Sequence, residues 1–360
     1  MMLMLVLGHT LALSNPIDKI ISNGARYCTN TANSAAIITF FTVLVSLFNW
    51  GLGLIFGAIF ARKVGEHASR KGIKLNYPLI GAAGYSGLMV WHGGISGSAP
   101  IKIAEEGHFL ADTIGVISQS KTIFSTMNLS ISVILLITLP LLMYFLGKKN
   151  AESEITISSN IEEKEFKITG AEKLDHSTIL SWLFGGLIIF YAFYKGIILP
   201  EKISLSIITP NYINLLLLGL AILMHKNFFN FLKAVDSAIL GASGILIQFP
   251  LYFGIMGIMN HSGMVEIMSA FFVSISNENT FPIFTFISAG IVNVFVPSGG
   301  GQWAVQGPII IEAATQIGVS IPKSVMALAY GDQLTNMLQP FWALPLLGIT
   351  GLKAKEILPY

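Results

Sequence analysis

Charge is confined to a minority of this sequence. Nine apolar stretches, 1–14, 35–61, 77–98, 122–147, 177–199, 203–225, 237–259, 282–316 and 324–350, hold 220 of the 360 residues but only three formal charges, Lys195, Glu312 and Asp332. The other 37 of the 40 charges fall in the remaining 140 residues. A bilayer imposes this segregation, because a charge at mid-membrane is costly and a spanning helix needs about 20 apolar residues. Charged types make up 11% of the chain, less than half of the roughly 25% in a soluble domain. The sequence predicts an all-α polytopic membrane protein.

Several classes are excluded at once. A net charge of +2 offers no footprint for nucleic acid. The single cysteine, Cys28, excludes a disulfide framework and any zinc site built on several thiolates. Apart from His92, the histidines His9, His67, His108, His176, His225 and His261 have no metal-like spacing, and no cofactor or metal is expected. Residues 1–14 lack the basic segment that opens a signal peptide, and they read as the tail of a helix.

Lysine and arginine mark cytoplasmic loops. They collect in 62–76, in the linker 148–176, in 226–236 and in the tail, whereas 260–281 has none. Simple alternation through nine spans does not satisfy this distribution. It is satisfied if 282–316 enters and leaves on one side, as a re-entrant hairpin broken at Pro297-Ser298-Gly299-Gly300-Gly301. By the same logic 35–61 is a hairpin from the opposite side, broken at Asn49-Trp50-Gly51-Leu52-Gly53. A single tilted span with glycines for packing is the alternative for 35–61.

Each hairpin is followed by an interrupted span. Segment 77–98 ends in Trp91-His92-Gly93-Gly94-Ile95-Ser96-Gly97-Ser98, and 324–350 is interrupted by Tyr330-Gly331-Asp332-Gln333-Leu334-Thr335-Asn336 and then by Pro340 and Pro345. Hairpin then broken helix occurs twice, which predicts an inverted-repeat secondary transporter with its substrate site at the breaks. The expected organisation is a first, partial repeat over 1–147, a cytoplasmic linker over 148–176 and a second repeat over 177–360. Helix N-termini freed at such breaks favour anions. The apolar segments contain no arginine, and Lys195 lies near a helix end, where it can snorkel. An anionic substrate is therefore expected to be small and held by backbone dipoles, hydroxyls and amides.

The candidate substrate residues are Asn49, Gly51, Gly53, Gly94, Ser96, Ser98, Ser298, Gly299, Gly300, Gln302 and Trp303. Each hydroxyl or amide alone is as well explained by a bond to its own backbone; the set recurs on four matching elements. The candidate coupling-ion residues are Asp332, Asn293 and Asn336. Asp332 leads, because an intramembrane carboxylate is functional by default; capping a half-helix is its structural alternative. Glu312 sits where the interface can solvate it. Trp50, Trp91, Trp303 and Trp342 gather around the breaks, either lining an apolar slot or packing. Gln248 with Pro250 interrupts 237–259, and a lone glutamine there is most simply an interhelical bond.

The break motifs also resemble a known family. Asn49-Trp50-Gly51-Leu52-Gly53 with Ala61-Arg62, Gly93-Gly94-Ile95-Ser96-Gly97-Ser98-Ala99-Pro100, Val296-Pro297-Ser298-Gly299-Gly300-Gly301-Gln302-Trp303, Ala329-Tyr330-Gly331-Asp332-Gln333 and Gln339-Pro340-Phe341-Trp342-Ala343-Leu344-Pro345 are similar to the short-chain fatty acid transporter family. The resemblance runs through essentially the whole chain. It implies a bacterial inner-membrane, multi-pass carrier of a short monocarboxylate such as butyrate or acetoacetate. Proton symport is expected, with sodium coupling as the nearest alternative. The bilayer, the substrate and the coupling ion are the expected partners, and a homo-oligomer is left open. Against the family pattern the chain reads as truncated at both ends, and His92 stands where a glycine is expected.

One rival comes from another class. Gly241-Ala242-Ser243-Gly244 resembles the Gly-x-Ser-Gly of rhomboid-type intramembrane serine proteases. That chemistry needs a histidine within reach of the serine, and His225 and His261 lie far along the helices. The match is short and rich in small residues, so the sequence points to a carrier and not to an enzyme.

Overall fold

A computed structural model of the chain describes residues 2–150, 170–200 and 207–360. Among them the chain is helical, with no strand. The short α1 (Met2–Ala12) and the amphipathic α2 (Asn15–Ala25) lead into a hairpin of α3 (Thr31–Phe48) and α4 (Trp50–Lys71). Next, α5 (Tyr77–Tyr85) tightens into a 3₁₀ segment, Ser86–Gly93, followed by α6 (Ser98–Lys102) and α7 (Ala111–Ile114). The long α8 (Thr126–Lys149) and the short α9 (Glu172–Asp175) flank the charged linker. Then come α10 (Thr178–Phe193) with a π-turn at Tyr194–Ile198, α11 (Pro210–His225), α12 (Phe228–His261) and α13 (Met264–Ser274). A second hairpin, α14 (Phe281–Phe295) and α15 (Gly299–Ile317), is followed by α16 (Ile321–Asn336), α17 (Pro340–Thr350) and α18 (Ala354–Ile357).

The first hairpin turns on one residue. Asn49 is extended (φ −150°, ψ 122°), and its Oδ1 accepts from the N–H of Leu52 at 2.8 Å. It thereby ends α3 and caps α4. A single unbroken span over 35–61 is thus ruled out. The second hairpin breaks at Val296, Pro297 and Ser298. Pro297 has no N–H to continue a helix, and the extended Ser298 caps α15 through its Oγ, which accepts from Gly301 N–H at 3.2 Å.

Other expectations need correction. Residues 331–336 stay helical, and the interruption of 324–350 falls at 337–339, immediately before Pro340. Proline disfavours helix in the residue that precedes it, while Gly331 is used for packing. Pro345 lies inside α17 without ending it. Pro250 likewise lies inside α12, which runs unbroken for 34 residues. That helix begins at Phe228, so most of the loop predicted at 226–236 is helical, and α13 occupies part of 260–281.

Backbone approaches hold the core together. A methyl group on Gly57 would strike the carbonyl oxygen of Gly84, and one on Gly331 the carbonyl oxygen of Phe286. Contact of α4 with α5, and of α14 with α16, therefore depends on absent side chains, as is usual for helices packing in lipid. The outer surface is apolar: Leu129, Val133, Ile137 and Leu141 of α8 and Ile179 and Leu187 of α10 are exposed. Hydroxyls and amides such as Thr39, Ser46, Asn293 and Gln306 are buried instead. Among the described residues three helices, Thr31–Phe48, Thr126–Lys149 and Thr178–Ile198, are long and apolar enough to cross a membrane.

Among the described residues two apolar cores form, and neither follows the halves of the sequence. The first joins α1, α3, α4 and α5 to Trp342, Ala343 and Leu346 of α17. The second joins α14, α15 and α16 to Ala99, Ile103, Leu110 and Ile117. The portion beyond each break packs with the other half.

Candidate functional site at the helix breaks

The 3₁₀ segment Ser86–Gly93 brings the breaks together, with Trp91 turned to the first hairpin and His92 to the second. The ring of Trp91 stacks on Trp50 (centroids 4.4 Å apart) and meets Trp342 edge-on at 4.8 Å. Three of the four tryptophans expected at the breaks do cluster. Trp303 stands apart in the second core, 6.3 Å from Phe109, because it lies on the face of α15 that packs on 99–117.

His92 reaches Asp332, and both are buried. Its Nε2 lies 2.9 Å from Asp332 Oδ1. The N–H of Ser98 donates to Nδ1 at 3.2 Å. Nδ1 therefore carries the lone pair and Nε2 the proton, so a neutral imidazole donates to the carboxylate. The backbone N–H groups of His92 and Gly93 both donate to Gln333 Oε1, at 3.0 and 3.3 Å. Consecutive residues of α16, Asp332 and Gln333, thus bind the ring and the backbone of one residue in the first half.

A second set of bonds surrounds Asp332. Asn336 Nδ2 donates to Oδ1 at 2.9 Å. Asn293 Nδ2 is within 2.9 Å of Asp332 O, Thr335 Oγ1 and Asn336 Oδ1. The three predicted coupling residues are therefore one network across α14 and α16. Asp332 Oδ2 is buried and has no hydrogen-bond partner. It faces Gly299, the first residue of α15: a Cβ there would lie 3.1 Å from Oδ2 and would collide with the His92 ring. Buried donors and acceptors normally find partners, and Oδ2 is among the described side-chain atoms that do not.

The predicted substrate residues divide in two. Ser298 caps α15, Gly299 touches the His92–Asp332 pair, and Gly300 faces open space. Gln302 Nε2 donates to Ala289 O at 2.8 Å and to Gln306 Oε1 at 2.7 Å, leaving its own buried Oε1 without a partner. Ser98 contributes its backbone to His92. Asn49, Ser96, Gly51, Gly53 and Gly94 gather at the first tip. Ser96 Oγ accepts from Trp50 N–H at 2.9 Å, and Asn49 Nδ2 is buried without a partner. Gly51 packs on Met4 and Leu5, Gly53 on Ser46, and Gly94 on Leu47.

Gln333, Thr335, Gln339 and Asn128 also belong to this constellation, and sequence reasoning did not choose them. Asn128 donates to Gly93 O at 2.8 Å and accepts from Tyr330 OH at 2.8 Å, bridging the two halves. Its one signal was an amide in the apolar segment 122–147. Glu312 is exposed and accepts from Gln316. The side chains of Ser243 and Gln248 lie outside the described residues. Among the described residues no cluster of His, Cys, Asp and Glu could hold a metal ion.

Comparison with known proteins decides the family. The family model described as Short chain fatty acid transporter matches residues 1–360. The chain belongs to that family. A protein of Escherichia coli (strain K12), assigned provisionally by name to short-chain fatty acid transport, is 37% identical over 369 residues, which cover 100% of this chain and 81% of the relative. A similarly named protein of Haemophilus influenzae is 37% identical over 377 residues, covering 100% and 82%. The structure is similar to the YdaH transporter of Alcanivorax borkumensis, with a TM-score of 0.54 and 14% identity, over 100% of this chain and 81% of that one. That likeness supports the fold. The family and its named members are transporters and not enzymes, which sets the protease reading aside.

Proposed function

We propose that the chain is a secondary active transporter of the inner membrane, carrying butyrate- or acetoacetate-like monocarboxylates with protons. Family membership supplies the substrate class. The observation that carries the coupling is the buried Asp332, bonded to His92 across the two halves, with its unpartnered Oδ2 beside Gly299 at the N-terminus of α15. Helix N-termini attract carboxylates, and a buried carboxylate is the expected seat of a transported proton. Asn49, Gly51, Gly53, Gly94, Ser96, Ser98, Ser298, Gly299, Gly300 and Gln302 line or brace the proposed substrate site, while Trp303 packs in the second core. Asp332, Asn293 and Asn336 form the coupling site. The repeats 1–147 and 177–360 would be related by inversion about this centre, with 148–176 in the cytoplasm.

Sodium coupling is a second reading, favoured by buried amide oxygens of Asn293, Gln302 and Gln339 that have no partners. Radiolabelled butyrate uptake into proteoliposomes, with pH and sodium gradients imposed separately, tests both. Accumulation driven by the pH gradient alone supports the first reading. Accumulation that requires the sodium gradient replaces it with the second, and no butyrate uptake under either gradient removes the assignment.

A further inference from the structure

We propose that substrate and proton bind at one point, sharing a hydrogen bond between Asp332 Oδ2 and the substrate carboxylate. This rests on the monocarboxylate reading above and adds the mechanism of coupling. The N–H groups of Gly299 and Gly300 open α15 and have no acceptor within the helix, since Ser298 Oγ accepts from Gly301. Space beside Gly300 is open, and Oδ2 of Asp332 stands against Gly299. A carboxylate seated on these N–H groups meets Oδ2 directly.

Two carboxylates in such contact cannot both be ionised. No lysine or arginine is among the described buried side chains, so no cation is at hand to compensate. The titratable groups facing the site are few. His92 comes from the 3₁₀ segment, and Tyr330 and Tyr85 come from α16 and α5. Tyr330 donates to Asn128, and Tyr85 donates to the carbonyls of Asn336 and Gln339. α14 supplies none. His92 cannot take the extra proton at Nδ1 without losing the bond from Ser98 N–H. Asp332 Oδ1 is already occupied by His92 and Asn336. The proton therefore enters from water onto the oxygen–oxygen contact at Oδ2. One O–H bond of a hydronium ion breaks, leaving water, as one O–H bond forms at Oδ2, and no other covalent bond changes. When the substrate leaves, the contact breaks and the proton returns to water on the far side, so each monocarboxylate moves with one proton and no net charge.

The test is proton uptake by the purified carrier in detergent, read with an indicator dye in weak buffer as butyrate is added. One proton should be taken up per butyrate bound, and the apparent affinity should weaken by about tenfold per pH unit where Asp332 is ionised in the free carrier. Asp332→Asn, whose amide brings its own donor, should bind butyrate without proton uptake and with a flat pH profile. Butyrate binding to the wild-type carrier without proton uptake overturns the proposal, as does binding that requires sodium instead. Asp332→Asn that still takes up one proton per butyrate overturns it too. A folded wild-type carrier that binds no butyrate at all defeats the substrate reading, a result distinct from binding without protons.

Discussion

Nε2 of His92 donates to Oδ1 of Asp332 across 2.9 Å and 240 residues of sequence, joining the broken element of one half to that of the other. Removing the donor leaves a buried carboxylate with Asn336 as its side-chain partner. His92→Ala should lower stability by roughly 2 kcal/mol, the scale of a hydrogen bond to a charged group, and should abolish pH-driven uptake. His92→Gln, which keeps an N–H donor, should recover most of the stability. Thermal melting in detergent beside uptake in proteoliposomes checks both, and equal melting of His92→Ala and wild type would count against the pairing.

Gly299 and Gly300 are neighbours with opposite surroundings. A methyl group on Gly299 collides with the His92 ring, whereas one on Gly300 meets no atom within 4 Å. Gly299→Ala should reduce uptake by at least tenfold by displacing His92 from Asp332, a loss equivalent to about 1.4 kcal/mol. Gly300→Ala should melt like wild type and change only butyrate affinity. A pair of variants indistinguishable in both assays would refute this arrangement of the tip.

Gly331 lets α16 lie against α14, where any Cβ would run into the Phe286 carbonyl and the Ala289 side chain. Gly331→Ala should therefore destabilise the carrier despite its better helix propensity, by about 1–3 kcal/mol as for other overpacked cores. A higher melting temperature for the variant would show that propensity outweighs the close approach.

Cys28 is the only cysteine, and it is buried between α2 and α3. Burial pushes its thiol up to about 11, against a small opposing effect from Ser34. The reactive thiolate is then about a thousandfold below the thiol at pH 8, and wild-type protein should label slowly until the pH nears 11. The native chain is thus a quiet background for topology mapping. In intact cells Lys71→Cys should be protected from an impermeant thiol reagent and His261→Cys should react. Both positions are exposed, so the opposite labelling pattern would reverse the proposed orientation.

The hairpin tips were legible because their residues act locally. Pro297 cannot extend a helix, and the Asn49 and Ser298 side chains bond their own backbone three residues on. The second break was read early because Gly331 and Asp332 look like breakers in isolation. In the fold one of them makes room for α14 and the other hydrogen-bonds across the interface. The partners of His92 could not be read at all. Its polarity in an apolar segment was visible, but contact with Asp332 and Gln333 depends on how two distant helices cross. The short helices α2 and α13 are too brief to signal a span; Ile21 and Ala25 of α2 are buried by tertiary packing, while Met264, Ile267 and Phe271 of α13 are exposed.

The two apolar cores exchange segments: α17 lies with the first hairpin, and residues 99–117 lie with the second. Any motion that parts the hairpins must carry each borrowed segment with its host. The hinges of such a motion are then the breaks themselves, 94–97 and 337–339, so opening the gate and remaking the ligand's surroundings are a single event. Each apolar core is woven from both sides of the linker, and cutting the chain there would leave neither one whole.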